Sequence, residues 1–248
     1  MSKKSRIAVA QRKQDDNNSM ENTIRFGIAP KAKPRNIDLI PKTLTQERYI
    51  TSLLNQDKNI VIAYGPAGTG KTYLAMLAAI KALQSGECQK IILSRPAVGV
   101  EEEEHGFLPG DLTEKMTPWC RPLFDILREY FNPREIERML DEQIVEISPL
   151  AFMRGRSLKD CWIIADEMQS STMNQMKMLL TRIGENCKLI VTGDLEQVDR
   201  KGANGLSDFL ARLHRTPKSR ITALEFLHSD IRRSPIVKDV LDLYNEEP

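Results

Sequence analysis

The sequence predicts an α/β fold of three layers, in which helices cover both faces of a parallel sheet. Short apolar, β-branched segments alternate along the chain with longer segments rich in helix-forming residues. Prolines lie at most of the junctions between these segments, where they end one element or start the next. A chain of 248 residues is long enough for one large domain of this kind.

The predicted elements follow one another in strand–helix order. The strands are expected at residues 59–64, 90–94, 143–147, 161–165, 187–192 and 220–227. The helices are expected at residues 45–55, 71–84, 119–130, 134–141, 172–183, 202–213 and 234–245. Ligands of such sheets bind outside the carboxyl ends of the strands, so the polar residues that follow the strands are the candidate functional residues.

A glycine-rich loop follows the first predicted strand. Residues 65–72 match the phosphate-binding pattern G-x-x-x-x-G-K-[ST] at every position, and a strand and a helix flank them. This arrangement aims backbone N–H groups and a helix N-terminus at the phosphates of a nucleoside triphosphate. Lys71 would reach the β- and γ-phosphates, and the Thr72 hydroxyl would hold Mg²⁺. The other expected phosphate-binding residues are Gly65, Pro66, Ala67, Gly68, Thr69 and Gly70. The alternative is a glycine-rich turn that matches the pattern by chance.

Two adjacent acids, Asp166 and Glu167, follow the predicted strand at 161–165. Charges at the end of a buried strand are costly unless they meet a cation or water. Asp166 suits the surroundings of the Mg²⁺ ion, and Glu167 suits orienting and deprotonating the water that attacks the γ-phosphate. The alternative is an acidic pair that only stabilises the start of the helix predicted at 172–183.

The strand predicted at 187–192 runs into a polar cluster that ends at Gln197. Gln197 is the expected γ-phosphate contact, because an amide both holds a phosphate oxygen and orients water. The alternative is an ordinary turn at the end of a strand.

From residue 46 to 244 the chain resembles the PhoH-like family of P-loop ATPases, whose core is similar to the first motor domain of superfamily-one helicases. Besides the glycine-rich loop, the resemblance rests on blocks at 94–98, 106–112, 121–123, 148–156, 175–178, 180–182 and 192–194. Gly-Phe-Leu-Pro-Gly at 106–110 and Met-Arg-Gly-Arg at 153–156 are the distinctive ones. The chain departs from the family pattern in a long segment at 99–105, in Ser234, which replaces the usual His, and in Asn204, which replaces the usual Ser. These departures concern partner contacts rather than phosphate chemistry.

The resemblance implies a RecA-like core, in which an additional catalytic-glutamate strand is inserted, and hydrolysis of ATP with Mg²⁺. It also implies a motor that acts on single-stranded RNA, or less readily DNA. Because no second motor domain follows in the sequence, a head-to-tail ring of copies, a hexamer by resemblance, would complete the site. The alternative is an ATPase switch that regulates a protein partner, such as a nuclease or a ribosome-associated factor, without translocating.

Five further residues are candidates for nucleotide or nucleic-acid contacts. Gln46 would read the adenine, which favours ATP over GTP, or it is a solvent-facing residue at a helix start. Arg233 would stabilise γ-phosphate charge in cis or in trans, or it forms a surface salt bridge. Arg95, Arg154 and Arg156 would contact nucleic-acid phosphates and bases, or an acidic patch of a neighbouring subunit such as residues 101–104.

Charge and composition add three expectations. The net charge is +2, but residues 1–35 carry nine Lys/Arg against three acids, so residues 1–40 are predicted to be a basic disordered arm before a single domain at 41–248. That arm would contact nucleic acid or remain a solvated tail. No apolar run approaches the roughly 20 residues of a membrane span, and no signal peptide is recognised. Buried reduced thiols and a cytoplasmic location are expected from the widely separated Cys88, Cys120, Cys161 and Cys187.

Overall fold

The structure is a computed structural model that describes residues 36–96, 112–197 and 204–232, without the side chains of 112–120. The helices are α1 (Leu44–Leu54), α2 (Lys71–Ser85), α3 (Leu112–Tyr130), α4 (Pro133–Asp141), α5 (Met173–Leu180) and α6 (Gly205–Arg215). The strands are β1 (Ile60–Tyr64), β2 (Lys90–Ser94), β3 (Val145–Ile147), β4 (Cys161–Ala165), β5 (Lys188–Gly193) and β6 (Ile221–Glu225). Each predicted strand is found, and the helix predicted at 234–245 lies outside the described residues.

The strands form one six-stranded sheet in the order β3-β2-β4-β5-β1-β6, and all pairs are parallel. β5 lies between β1 and β4, with Val61 opposite Ile190 on one side and Ile164 opposite Ile190 on the other. The inserted strand of the RecA-like core is therefore β5, whereas the two adjacent acids follow β4. The predicted α/β parallel-sheet class is confirmed, and the carboxyl ends of β4, β5 and β1 lie side by side.

Helices cover both faces of the sheet. Val61 and Ile164 point into a core formed with α1, α2, α3 and α4, whereas Ile62 and Ile163 point into a second core formed with α5 and α6. Because each central strand is buried on both faces, it has an uninterrupted apolar sequence. Full burial stabilises the fold by about 1.5–3 kcal/mol for each such isoleucine.

Local side-chain contacts start most of the helices where the sequence indicates. The Thr43 hydroxyl accepts from the N–H of Gln46 at the start of α1. Reciprocal capping boxes begin α4, with Asn132 and its partner three residues later, and α5, with Thr172 and its partner three residues later. Asn204 caps α6 by accepting from two backbone N–H groups, so this departure from the family pattern retains a helix-starting function.

One predicted helix boundary is wrong. The sequence placed the start of the third helix at 119, after a proline, but α3 begins at residue 112 and runs through Pro118. A proline within a helix removes one hydrogen bond without always ending the helix. At the N-terminus, Ile37 is 1% exposed and belongs to the core, and its carbonyl accepts from Lys81 Nζ at 3.4 Å. Ile37, before the predicted boundary at residue 40, thus contributes to the core, and residues 1–35 lie outside the described part of the chain.

The structure also bears on the expectations for the cysteines and for membrane-spanning helices. Cys88, Cys161 and Cys187 are buried free thiols, as predicted. In the described ranges, no helix is both long and apolar enough to cross a membrane.

Candidate nucleotide-binding site

The glycine-rich loop joins β1 to α2 at the carboxyl edge of the sheet. Gly65 has a φ of +127°, a conformation that side chains rarely adopt. A Cβ at this position would lie 2.1 Å from the Phe226 carbonyl oxygen, just beyond β6. The first glycine is therefore required both by its backbone conformation and by the close approach of a neighbouring strand end. The loop then enters α2, whose N-terminus carries the partial positive charge that favours an anion.

The Lys71 ammonium group is folded back over the loop. Lys71 Nζ donates to the carbonyls of Gly65 at 2.6 Å and Pro66 at 2.7 Å, and it lies 3.3 Å from Thr69 Oγ1. The side chain is 8% exposed. A lysine held in this way is already positioned within the loop, and contacts with phosphate oxygens would replace these carbonyl contacts. Its role toward the β- and γ-phosphates stays a prediction.

Asp166, the second candidate Mg²⁺ ligand after Thr72, lies opposite the glycine-rich loop. Asp166 Oδ1 accepts from the hydroxyl of Thr72 at 2.7 Å and from the hydroxyl of Thr192 at 2.5 Å. The carboxylate is 6% exposed, and these two hydrogen bonds offset the cost of burying its charge. Hydroxyl and carboxylate oxygens are the ligands that Mg²⁺ prefers, and Mg²⁺ commonly takes one or two protein oxygens together with substrate phosphates. The donor set at Thr72 and Asp166 therefore fits this ion. Within the described ranges, no group of three or more His, Cys, Asp or Glu residues is arranged to hold a metal ion.

Glu167 adopts an unusual backbone conformation and contacts two side-chain donors. Its φ of 56° and ψ of 38° lie in the left-handed region, which costs a non-glycine residue about 1–2 kcal/mol. Glu167 Oε1 forms an ion pair with Arg95 Nη2 at 3.1 Å, and Glu167 Oε2 accepts from Gln169 Nε2 at 2.5 Å. Non-glycine residues in this conformation concentrate at functional sites, which agrees with the predicted role of Glu167.

Gln169 was not among the residues selected from the sequence. Its amide is buried and joins two loops: Nε2 donates to Glu167, and Oε1 accepts from the N–H of Asp194 at 3.1 Å. Asp194 Oδ2 in turn accepts from the N–H of Ala67 in the glycine-rich loop at 3.1 Å. A chain of hydrogen bonds thus leads from the phosphate-binding loop to Glu167. A single glutamine in a turn carries no periodic or spacing signal that could have identified it.

A cavity of about 250 Å³ lies between the glycine-rich loop and the ends of β4 and β5. Gln197 lies at its wall with an exposed side chain, at the place where the sequence predicted a γ-phosphate contact. The other lining residues are Ala67, Gly68, Gly70, Lys71, Thr72, Tyr73, Asp166, Glu167, Gly193 and Asp194. Most of the predicted phosphate and metal residues are therefore brought together around one space.

Gln46 lies beside the loop and is 4% exposed, so the alternative of a solvent-facing residue is wrong. Its Nε2 donates to the Thr69 carbonyl at 2.9 Å, and its Oε1 accepts from the N–H of Lys42 at 2.7 Å. These bonds fix the start of α1 against the loop. One N–H and one lone pair of the amide remain, which is the pair that adenine recognition needs, and that role stays a prediction.

The three candidate arginines differ in their contacts. Arg156 is engaged with Glu146 through both terminal nitrogens, including a 3.0 Å contact from Nη2 to Oε2. Burial opposes the charge of Glu146, but the hydrogen bonds from Arg156 and Lys90 outweigh it and lower the pKa of this carboxyl. Arg156 therefore ties β3 to the loop that follows it, and its contact with nucleic acid stays a prediction. Arg154 is exposed, and Arg95 contacts Glu167.

The segment just before Arg233 reaches the glycine-rich loop, although Arg233 itself lies outside the described residues. The preceding residue, Arg232, donates its backbone N–H to the Gly68 carbonyl at 3.0 Å and its Nη2 to the Lys42 carbonyl at 3.2 Å. The segment after β6 thus closes against the phosphate-binding loop. The role of Arg233 stays a prediction.

The RecA-like parallel sheet, the phosphate-binding loop after β1 and the buried aspartate after β4 define a P-loop NTPase. The sequence model of the family described as PhoH-like protein matches residues 38–245, and the chain belongs to this family.

A PhoH-like protein of Bacillus subtilis is 40% identical over 97% of this chain and 74% of its own length. A PhoH-like protein of Mycobacterium tuberculosis is 44% identical over 84% of this chain and 59% of its own length. The chain thus spans about three fifths to three quarters of these curated relatives. Among solved structures, the HK97 bacteriophage large terminase has a TM-score of 0.49 at 15% identity, over 82% of this chain and 42% of that one. Similarity at that level carries no functional information.

Proposed function

We propose that this P-loop NTPase binds ATP with Mg²⁺ and hydrolyses it. The observation that carries the proposal is the arrangement of Lys71, Asp166 and Glu167 around one cavity. This cavity lies at the carboxyl ends of β1 and β4, which β5 separates. A small-molecule kinase would need no glutamate beside the γ-phosphate, because its acceptor hydroxyl takes the place of water.

The proposed reaction is an in-line attack of water on the γ-phosphorus. The Glu167 carboxylate orients the water and takes its proton, the bond between the γ-phosphorus and the bridging oxygen breaks, and ADP and phosphate leave. The glycine-rich loop and Lys71 bind the phosphates, and Gln197 orients the γ-phosphate. Thr72 and Asp166 would hold Mg²⁺, which when bound neutralises charge on the β- and γ-phosphates.

We further propose that hydrolysis drives movement along a single-stranded nucleic acid, with RNA preferred. Two arginines favour this proposal. Arg95 directly follows β2 and so lies at the carboxyl edge that also holds the nucleotide cavity. Arg154 directly follows the 3₁₀ turn Leu150–Met153, whose first N–H donates to the Arg95 carbonyl at 3.3 Å. Arg154 is exposed, as a phosphate contact must be. A head-to-tail ring, with a hexamer as the expected size, would supply the second wall of the site, and a cytoplasmic location is a further prediction.

The second candidate function is an ATPase switch that binds and releases a protein partner, such as a nuclease or a ribosome-associated factor. The ion pair of Arg156 with Glu146 favours it, because this pair occupies one of the three arginines predicted to contact nucleic acid. Stimulation of ATP turnover by single-stranded RNA or DNA would distinguish the motor, and stimulation by protein partners alone would distinguish the switch.

The test of hydrolysis uses Glu167→Gln, which keeps the size of the side chain and removes the base. We expect ATP turnover to fall at least ~10²-fold while ATP stays bound. Lys71→Ala, in contrast, should weaken nucleotide binding itself. Nucleotide binding is measured with a fluorescent ATP analogue and turnover by phosphate release. Normal turnover in Glu167→Gln would refute the assignment of the base.

A further inference from the structure

Both oxygens of the proposed catalytic carboxylate are engaged by neighbouring side chains. Arg95 reaches Glu167 Oε1 from the end of β2, and Gln169 reaches Glu167 Oε2 from the turn that follows the acidic pair. Gln169 is buried and is held by the Asp194 N–H, so it is a fixed contact. The Arg95 and Glu167 side chains are 22% and 38% exposed, so this ion pair is open to solvent and to anions.

The surface next to Arg95 suits a nucleic-acid strand. The backbone N–H of Leu150 donates to the Arg95 carbonyl at 3.3 Å, which attaches the loop after β3 to the end of β2. In that loop Phe152 is 57% exposed, and Arg154, two residues later, is exposed as well. An exposed aromatic ring and an arginine are the groups on which bases stack and to which strand phosphates bind. The carboxylate of Glu167 and a strand phosphate would then compete for the same guanidinium group, because both are oxyanions of suitable geometry.

We propose that Arg95 restrains Glu167 through this ion pair, and that a phosphate of a single-stranded nucleic acid releases Glu167 by binding Arg95. Arg95 is thus a positioning residue that couples strand binding to hydrolysis, and Phe152 with Arg154 forms the adjoining strand contact. The inference rests on the proposed ATPase function, because the released carboxylate is the one that activates water.

The coupling has a consequence that needs no ATP. If the Arg95–Glu167 pair and the Arg95–phosphate contact exclude each other, removing the charge of Glu167 must strengthen strand binding. Exposed to half-buried ion pairs have coupling energies that correspond to about 2- to 5-fold in an equilibrium constant. The strengthening should vanish when Arg95 is absent, which makes the effect measurable as a double-mutant cycle.

The first experiment measures the affinity of a labelled oligouridylate of about twenty nucleotides by fluorescence anisotropy, without nucleotide, over a range of salt. We expect Glu167→Gln to bind about 2- to 5-fold more tightly than the unmodified protein. Arg95→Ala should bind more weakly, with a salt slope smaller by about one. The double variant should bind like Arg95→Ala. Equal strengthening by Glu167→Gln in the presence and absence of Arg95, or no strengthening at all, would overturn the proposal.

A matched control is Arg212→Ala. Arg212 is an ion-paired arginine in the last turn of α6, which leads toward the opposite, amino edge of the sheet. The Arg212→Ala variant should leave the strengthening of oligouridylate binding by Glu167→Gln unchanged. If Arg212→Ala abolished the response as Arg95→Ala does, the effect would come from general surface charge rather than from the Arg95–Glu167 pair. That result would overturn the proposal.

The second experiment measures ATP turnover with and without the same oligouridylate. Arg95→Ala should raise turnover without the strand about 2- to 5-fold and lose most of the stimulation by the strand. Turnover that falls under both conditions would assign Arg95 a purely structural role and overturn the proposal. If the unmodified protein hydrolyses no ATP, the proposed function fails and the affinity cycle still tests the exclusive contacts. If it hydrolyses ATP but the cycle shows no coupling, the inference alone fails.

Discussion

Lys188 offers a quantitative test of the packing beneath the site. This lysine begins β5 and is 4% exposed. Its Nζ donates to the carbonyls of Leu53 and, at 2.9 Å, Asn55 at the end of α1, and it lies 4.9 Å from the centre of the Trp162 ring. Burial lowers the pKa of Lys188 from 10.5 to about 8, although Glu87 acts in the opposite direction. The loss of hydration thus outweighs the contacts that favour the charged amine.

The sign of the pH effect follows from the order in which the two states lose the proton. Below pH 8 the lysine is charged in the folded and the unfolded chain, and its burial costs about 3 kcal/mol of folding stability. Between pH 8 and 10.5 the folded state releases the proton first, so the stability contributed by this residue rises with pH. From about pH 7.5 to about pH 10 the expected gain is about 2 kcal/mol.

The test variant is Lys188→Met, which keeps an unbranched side chain one atom shorter and removes the charge. In urea unfolding across this pH range, the stability of the unmodified protein should rise by about 2 kcal/mol relative to that of Lys188→Met, whichever of the two is more stable at the start. The comparison cancels the other titrating groups, which the two proteins share. Lys159→Met serves as the control, because Lys159 is 62% exposed and should give a curve parallel to that of the unmodified protein. Parallel curves for Lys188→Met would refute the burial argument.

Three further predictions concern the site. Gln46→Ala should narrow the preference for ATP over GTP with maximal turnover largely kept; equal use of both nucleotides by the unmodified protein would contradict an adenine contact. Mixed Lys71→Ala and Arg233→Ala chains should recover part of the turnover that each lacks alone, since some interfaces of a head-to-tail ring join two intact halves; a fully active monomer in light scattering would exclude this. Gly193→Ala should slow turnover more than about tenfold and cost about 1–3 kcal/mol of stability, because the new Cβ would lie 2.6 Å from Leu206 Cδ2 and 3.0 Å from Gln169 Oε1. Unchanged turnover and melting temperature would contradict it.

The alternating apolar segments were sufficient to predict the strands, because each central strand is buried on both faces and so shows a continuous apolar run. Helix ends were harder to predict. Thr172 and Asn204 mark helix starts through contacts within three residues, and these local signals were partly recognised. The start of α3 was missed because a proline was interpreted as a boundary. Ile37 was assigned to the arm because its burial depends on a core that forms far along the chain.

The phosphate-binding loop and the acidic pair were predictable from the sequence, because each is contiguous and lies directly after a strand. Which side chains these groups contact depends on how the strands are arranged in the sheet. Asp194 bonds to Ala67 across 127 positions of sequence, and Glu167 bonds to Arg95 on the neighbouring strand end. Sequence patterns report the period and burial of each element, whereas the parallel order of the sheet brings the ends of β2, β4, β5 and β1 together. For this reason the position of Glu167 was predictable, and its contacts with Arg95 and Gln169 were not.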